Sequence, residues 1–135
     1  MKLETRNRGF TLIELLVVLA ILAMLAGLVG PKVMNALSSS KPKAARVQIE
    51  DLGAALDMYR LDVGNYPKNL SGLVESTGPK WNGPYLKKKT LPKDPWGNDY
   101  EYRFPGQHGE FDIISYGADG ARGGDGDGRD IVSWE

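Results

Sequence analysis

The apolar and polar positions of this chain are sharply segregated. From Phe10 to Gly30 the sequence reads FTLIELLVVLAILAMLAGLVG, with Glu14 as its only charge. At ~1.5 Å rise per residue such a run spans ~31 Å as a helix, about the thickness of a bilayer's hydrocarbon core. Leu, Ala and Met favour helix, and no polar stripe is left to face water. A chain of 135 residues could hardly bury a helix this apolar on every side, so the run predicts a membrane span rather than a core helix. A cleaved secretory signal would need small residues two apart near its end, and Ala20–Gly30 contains no such pair.

Beyond the run, Pro31 is expected to kink or loosen the helix at the membrane exit. Ser38–Pro42 predicts a second soft point, with Ser40 as a cap and Pro42 in a first helical turn. A helical period then returns: Leu52, Leu56, Tyr59 and Val63 recur at spacings of four, three and four, with Ala55 alongside. Gly64–Asn65–Tyr66–Pro67 stops it. The pattern predicts one long, broken helix with a transmembrane half over 10–30 and an amphipathic half over 31–64.

Residues 65–135 read as a small head. Residues 65–98 lack a sustained period and predict a loop with a short helix near Leu70–Glu75, anchored by Trp81 and Tyr85. Asp94–Pro95–Trp96–Gly97 is a turn signal. Tyr100, Tyr102 and Phe104 alternate with Glu101 and Arg103, the pattern of a strand with one buried face. Pro105–Gly106 turns the chain, Phe111–Tyr116 reads as the next strand, and Ile131–Trp134 as a third after a glycine-rich loop. Three short strands make an antiparallel meander that is stable only when covered, and the amphipathic half-helix can cover it. The predicted class is α+β.

Composition adds exclusions. There are 17 basic and 17 acidic side chains, one histidine and no cysteine. That excludes a disulfide-stapled fold and cysteine chemistry. Zero net charge argues against nucleic acid as a partner, which would need a dominant basic surface. The total hides an asymmetry, however. Residues 1–9 hold Lys2, Arg6 and Arg8 against Glu4, whereas residues 110–135 hold seven acids against Arg122 and Arg129. The basic start predicts a cytoplasmic N-terminus, with everything after Lys32 on the far side.

Glu14 is the residue this pattern does not predict. A carboxylate in the span costs roughly 2.5–3.5 kcal/mol, so either a partner or hydration near the interface is expected. The intact chain offers no cation at that depth. Cutting between Gly9 and Phe10 would create an α-amine four residues before Glu14. A neighbouring chain shifted along the helix axis could align the two, making Glu14 a registry device for helix packing.

Arg8–Gly9–Phe10–Thr11–Leu12–Ile13–Glu14, followed by the apolar run, resembles the class III signal of type IV pilins and pseudopilins. The resemblance implies cleavage of a 1–9 leader after Gly9 by a prepilin peptidase, N-methylation of Phe10, and Glu14 as the assembly glutamate, with Pro31 also counted as an assembly position. Leu61–Pro67, Leu91–Tyr100, Pro105–Gly109 and Asp112–Gly120 further resemble the general secretion pathway protein G family, the major pseudopilins of type II secretion. That resemblance runs nearly end to end and implies a type IV pilin-like fold.

Asp119–Gly–Ala–Arg–Gly–Gly–Asp125–Gly–Asp127–Gly–Arg–Asp130 gathers four carboxylates in twelve residues, with five glycines between them. Hard oxygen ligands on a flexible loop suit a calcium ion; a solvated acidic turn is the other reading. The spacing is not that of an EF-hand, and it falls one residue off a calcium-binding nonapeptide that occurs here once. The family resemblance implies one calcium, held by Asp119, by Asp125 or Asp127 as the second side-chain ligand and, where the loop length aligns it, by Asp130, with Tyr116 offering its backbone carbonyl. Arg129 stands where some relatives are acidic.

Catalysis finds no support. His108 stands alone in a Pro–Gly–Gln–His–Gly turn, and Lys87–Lys88–Lys89 reads as a solvated turn. Gly117–Gly128 precedes a strand pattern rather than a helix, so it is no phosphate loop. The resemblance implies a structural subunit, not an enzyme: a helical homopolymer in the periplasm, anchored at first in the bacterial inner membrane. Its implied partners are further copies, minor pseudopilins, an inner-membrane assembly platform with its ATPase, the prepilin peptidase and, indirectly, the secretin and exoproteins. Two alternatives are a type IV pilin used for adhesion, motility or DNA uptake, and a membrane-tethered calcium-binding domain that does not assemble.

Overall fold

The computed structural model describes residues 9–135; the leader expected over 1–9 therefore lies, up to residue 8, outside the described residues. The chain divides into two compact units between Leu37 and Ser38. Its first element, α1, is the 52-residue helix Leu12–Val63. The start is capped: Thr11 Oγ1 accepts the Glu14 N–H at 3.2 Å, which satisfies one of the free donors of the first turn. The end is a glycine stop, with the Gly64 N–H donating to Arg60 O at 2.8 Å and Gly64 at φ 100°, a conformation that suits glycine.

The helix runs without interruption through Pro31 and through Ser38–Pro42, and this corrects the expectation of a broken helix. A proline removes one backbone bond at a cost of about 3 kcal/mol. Around Pro42 that loss is outweighed by the turns that follow, which bury Ala45, Ile49 and Leu52. Around Pro31 the flanking Val29, Lys32 and Met34 tolerate helix, and one missing bond does not end a helix already formed on both sides.

In the first unit every residue from Leu12 to Leu37 is exposed except the half-buried Gly30. In the second unit α1 carries a true stripe. Ala45, Ile49, Leu52, Leu56 and Tyr59 recur at four, three, four and three, all buried, with Ala55 beside them. The stripe reaches two turns further towards the N-terminus than the sequence pattern shows.

Three short strands form the sheet: β1 (Glu101–Arg103), β2 (Asp112–Ser115) and β3 (Ile131–Val132). Their order is β1-β2-β3, all antiparallel. The register pairs Tyr102 with Ile113 and Ile114 with Val132. Ile113 and Ile131 join the helix stripe, Tyr66, Leu70, Leu73 and Tyr100 in one core. A one-turn 3-10 helix, Leu70–Leu73, occupies the place of the predicted short helix. Trp81 Nε1 donates to Gly72 O at 2.7 Å, and the Tyr85 hydroxyl donates to Asp62 Oδ2 at 2.8 Å. The first bond folds the 65–98 segment on itself, and the second ties it to the end of α1.

Two buried carboxylates shape the connections. Asp112, at the start of β2, is 0% exposed. It accepts the Gln107 N–H at 2.8 Å and the His108 N–H at 3.3 Å, and its Oδ2 lies 3.2 Å from His108 Nδ1. The His108 ring stacks on Trp134 with centroids 3.8 Å apart. The approach is so close that a Cβ on Gly106 would lie 2.8 Å from Asp112 Oδ1. Asp94 is the second: its Oδ1 accepts the N–H groups of Trp96 (3.1 Å) and Asn98 (2.8 Å), closing the predicted Asp94–Gly97 turn from inside.

Two outcomes follow from this packing. Leu56→Ala empties a site that is 0% exposed, and is expected to cost roughly 2–5 kcal/mol in denaturant unfolding of the head. For Asp112, burial opposes the charge, but the Gln107 N–H and the His108 ring and N–H outweigh it and hold the carboxyl below its ordinary value. The folded protein thus binds this proton less tightly than the unfolded chain. Its contribution is complete above pH ~4 and is lost as pH falls through the lower, folded value. Asp112→Asn is expected to lose about 2 kcal/mol at pH 7 and to flatten the acid limb of a stability–pH profile below pH ~4.

Candidate functional site

Two regions carry the functional chemistry, one in each unit. The first is the N-terminal stretch of α1. Gly9 and Phe10 precede the helix and are exposed, Phe10 to 88%. Thr11 is the cap, so Glu14 sits at the third helical position, where the helix macrodipole favours a negative charge. Thr-x-x-Glu is also a capping signature, a signal present in the sequence that the registry argument passed over. The bond to Thr11 uses only the Glu14 backbone, which leaves the carboxylate free to act elsewhere. Among the described residues no cation pairs with it. The helix is long and apolar enough to cross a membrane, and none of its apolar window is buried. Pro31 is exposed within this same face-free stretch.

The second region is the acidic loop between β2 and β3. Tyr116, half-buried, leaves β2 and leads into Gly117. A turn follows, closed by the Gly120 N–H on Gly117 O at 3.3 Å. Asp119 lies inside it, and its Oδ1 accepts the Ala121 N–H at 3.1 Å. At the far end of the loop, Asp130 Oδ2 accepts the Gly123 N–H at 3.0 Å. Between them a 3-10 turn, Gly126–Gly128, begins after Asp125.

Each of these carboxylates therefore spends one oxygen on the loop and keeps the other. Asp130 Oδ1 is buried without a hydrogen-bond partner among the described residues. Asp119 Oδ2 faces the Gly124 and Gly128 backbone: a Cβ on Gly124 would lie 2.8 Å from it and 2.5 Å from Gly128 O. Gly124 has φ 106°, so glycine is required there both for conformation and for space. Asp119 Oδ2 and Gly128 O thus meet over Gly124, and the loop also holds the orphaned Asp130 Oδ1; these are hard oxygen donors of the type calcium accepts. Among the described residues no three acidic or histidine side chains converge. The fit rests on two aspartates and backbone carbonyls rather than on four carboxylates. Asp125 is exposed and makes no side-chain cap bond; the Asp127 side chain lies outside the described residues.

Other candidate groups are occupied elsewhere. Arg129 pairs with Glu135 at 3.3 Å, both well exposed, so its charge is drawn to the C-terminus and the pair contributes little stability. His108 is held between Asp112 and Trp134. Lys87, Lys88 and Lys89 are exposed.

Comparison with known proteins matches both regions. Residues 32–134 match the family described as type II secretion system (T2SS), protein G, and residues 5–30 match the prokaryotic N-terminal methylation motif. The type II secretion system core protein G of Pseudomonas aeruginosa is 48% identical, over 96% of each chain. Its Vibrio cholerae counterpart is 42% identical, over 99% of this chain and 96% of that one. Among solved structures, the crystal structure of the major pseudopilin from the type 2 secretion system of enterohaemorrhagic Escherichia coli superposes with a TM-score of 0.59 at 33% identity, covering 75% of this chain and 92% of that one. An exposed apolar helix on a small meander head, with matches of this identity and coverage along nearly the whole chain, places the protein: it belongs to the type II secretion system protein G family of major pseudopilins.

Proposed function

We propose that this pseudopilin works as a membrane-held precursor that is cut after Gly9, N-methylated on Phe10 and polymerised through α1 into a periplasmic filament. The observation that carries the reading is the helix from Leu12 to Leu37, apolar and exposed on all sides. Surface of that size and kind needs lipid or other protein. In the membrane it is covered by lipid; in the filament it is covered by other copies. Shifted head-to-tail contacts that do not close produce a filament, and Glu14 would set their register by meeting the new α-amine of a neighbour. The basic start of the chain supports a cytoplasmic N-terminus and a periplasmic head.

The role is structural, not catalytic. Growth of the filament would be driven by an ATPase through an inner-membrane platform, with minor pseudopilins as companions, and would help move folded exoproteins through a secretin. An adhesive or motile type IV pilin remains the second reading of the N-terminal motif, but the matches along the head favour the secretion role.

We further propose one calcium ion in the acidic loop. Asp119 and Asp130 would hold it, with Asp125 or Asp127 and the carbonyls of Tyr116 and Gly128 completing the set. Bound there, calcium would neutralise the clustered carboxylates. The orphaned Asp130 oxygen and the Gly124 cradle support this reading.

Four measurements test these proposals. Intact mass of membrane-extracted protein should show loss of residues 1–9 and one added methyl group; an uncut, unmethylated chain would sink the filament reading. Glu14→Ala should insert normally yet form no filaments, and normal filaments would refute the registry role. Deleting the gene should abolish enzyme secretion, whereas unchanged secretion would favour the pilin. For calcium, the melting temperature at a hundredfold excess over Kd should exceed that in chelator by roughly 10 °C. Gly124→Ala should erase that difference, and a wild-type chain showing none would remove the calcium proposal.

A further inference from the structure

We infer that Asp94, Asn98 and Ser115 form a positioning unit that sets the acidic loop for its cation, an inference that rests on the calcium reading above. The argument starts from Asp94, which is 4% exposed. A buried carboxylate is costly unless donors surround it. Here three do: the N–H groups of Trp96 and Asn98 on Oδ1, and the Ser115 hydroxyl on Oδ2 at 2.7 Å. The Asp94 N–H also donates to Asn98 O at 2.8 Å, and the Gly97 N–H to Asp94 O at 2.9 Å. The turn and the end of β2 are thereby locked to one charged group.

Both arms of this lock end on the same residue. Asn98 Nδ2 donates to Gly117 O at 3.4 Å, and the Gly117 N–H donates to Ser115 Oγ at 3.5 Å. Each bond is long and weak by itself. Together they hold both backbone polar groups of Gly117, the buried residue at which the loop leaves the sheet. Gly117 O is also the acceptor that closes the turn around Asp119. A Cβ on Gly120 would lie 3.4 Å from Asn98 Nδ2, so the asparagine sits beneath the whole turn. Asp119 Oδ1 is already committed to Ala121. The direction of its free oxygen is then set by the turn, and the turn by Asn98 and Ser115. Neither residue is itself among the proposed ligands. Outer groups that orient ligands in this way are typically worth 10–100-fold in metal affinity.

The test uses the full chain in detergent micelles, titrated with calcium chloride, with melting also measured in chelator. Asn98→Ala is expected to weaken the calcium Kd by about 10–100-fold while lowering the melting temperature in chelator by less than about 5 °C. Ser115→Ala should shift affinity in the same direction, and provides the reading if the first variant folds poorly. Wild-type affinity in both variants overturns the inference alone. So does a fall in melting temperature that is equal in chelator and in calcium, because that describes a merely structural role. A wild-type chain that takes up no calcium overturns the calcium reading first, and this inference with it.

Discussion

Between Leu12 and Leu37 the apolar side chains of α1 are all exposed, and at about 25 cal/mol per Å2 of apolar surface that is a standing penalty in water. Among the described residues none from Leu12 to Leu37 is buried, and the core draws its apolar side chains from Ala45 onward. The covering must therefore come from outside, from lipid or from copies of the same helix. The chain belongs to a family of major pseudopilins, subunits of the type II secretion pseudopilus. Lipid and further protein cover such a surface by the same physics, and Glu14 is the one charge on it between residues 10 and 30.

The head faces the opposite difficulty. Its strands are three, four and two residues long, too short to be stable by pairing alone. Two devices compensate. The amphipathic end of α1 supplies the stripe from Ala45 to Tyr59 against which the sheet packs. Buried carboxylates then organise what the strands cannot: Asp112 gathers the β1–β2 connection and, through His108, reaches Trp134 near the C-terminus, while Asp94 gathers the turn before β1 and the end of β2. Tyr66 adds a third junction, lying 2.8 Å from both Asp57 Oδ1 and Glu110 Oε2, its hydroxyl pKa pushed up to about 12 mainly by burial.

Several elements were readable residue by residue. The apolar run, the Leu52–Leu56–Tyr59–Val63 stripe, the Gly64 stop and the three strand positions follow from periods and turn residues, which are local properties. Ser38–Pro42 reads as a break because local propensity alone omits the tertiary burial of Ala45 and Ile49 that outweighs it, and Pro31 because one lost bond does not end a helix formed on both sides. Asp112 and Asp94 were missed as anchors for a related reason. An aspartate beside a turn reads as a solvated one, and the Ser115 that fills the second oxygen of Asp94 stands 21 residues away. The four aspartates of the loop were visible as a composition, but not the division of labour within each carboxylate.

By itself, the sequence determined which stretches seek an apolar covering, the order and approximate places of helix and strands, and the family to which the chain belongs. These depend on residue type and spacing along one element. Only the tertiary structure decided that Asp112 and Asp94 are enclosed, that Asp119 and Asp130 each retain an uncommitted oxygen, and that Gly124 leaves room for that of Asp119. Those outcomes depend on which groups from distant segments arrive within hydrogen-bond reach and on whether water is shut out. A carboxylate's identity is written in the chain, but its desolvation and its partners exist only once the chain has folded.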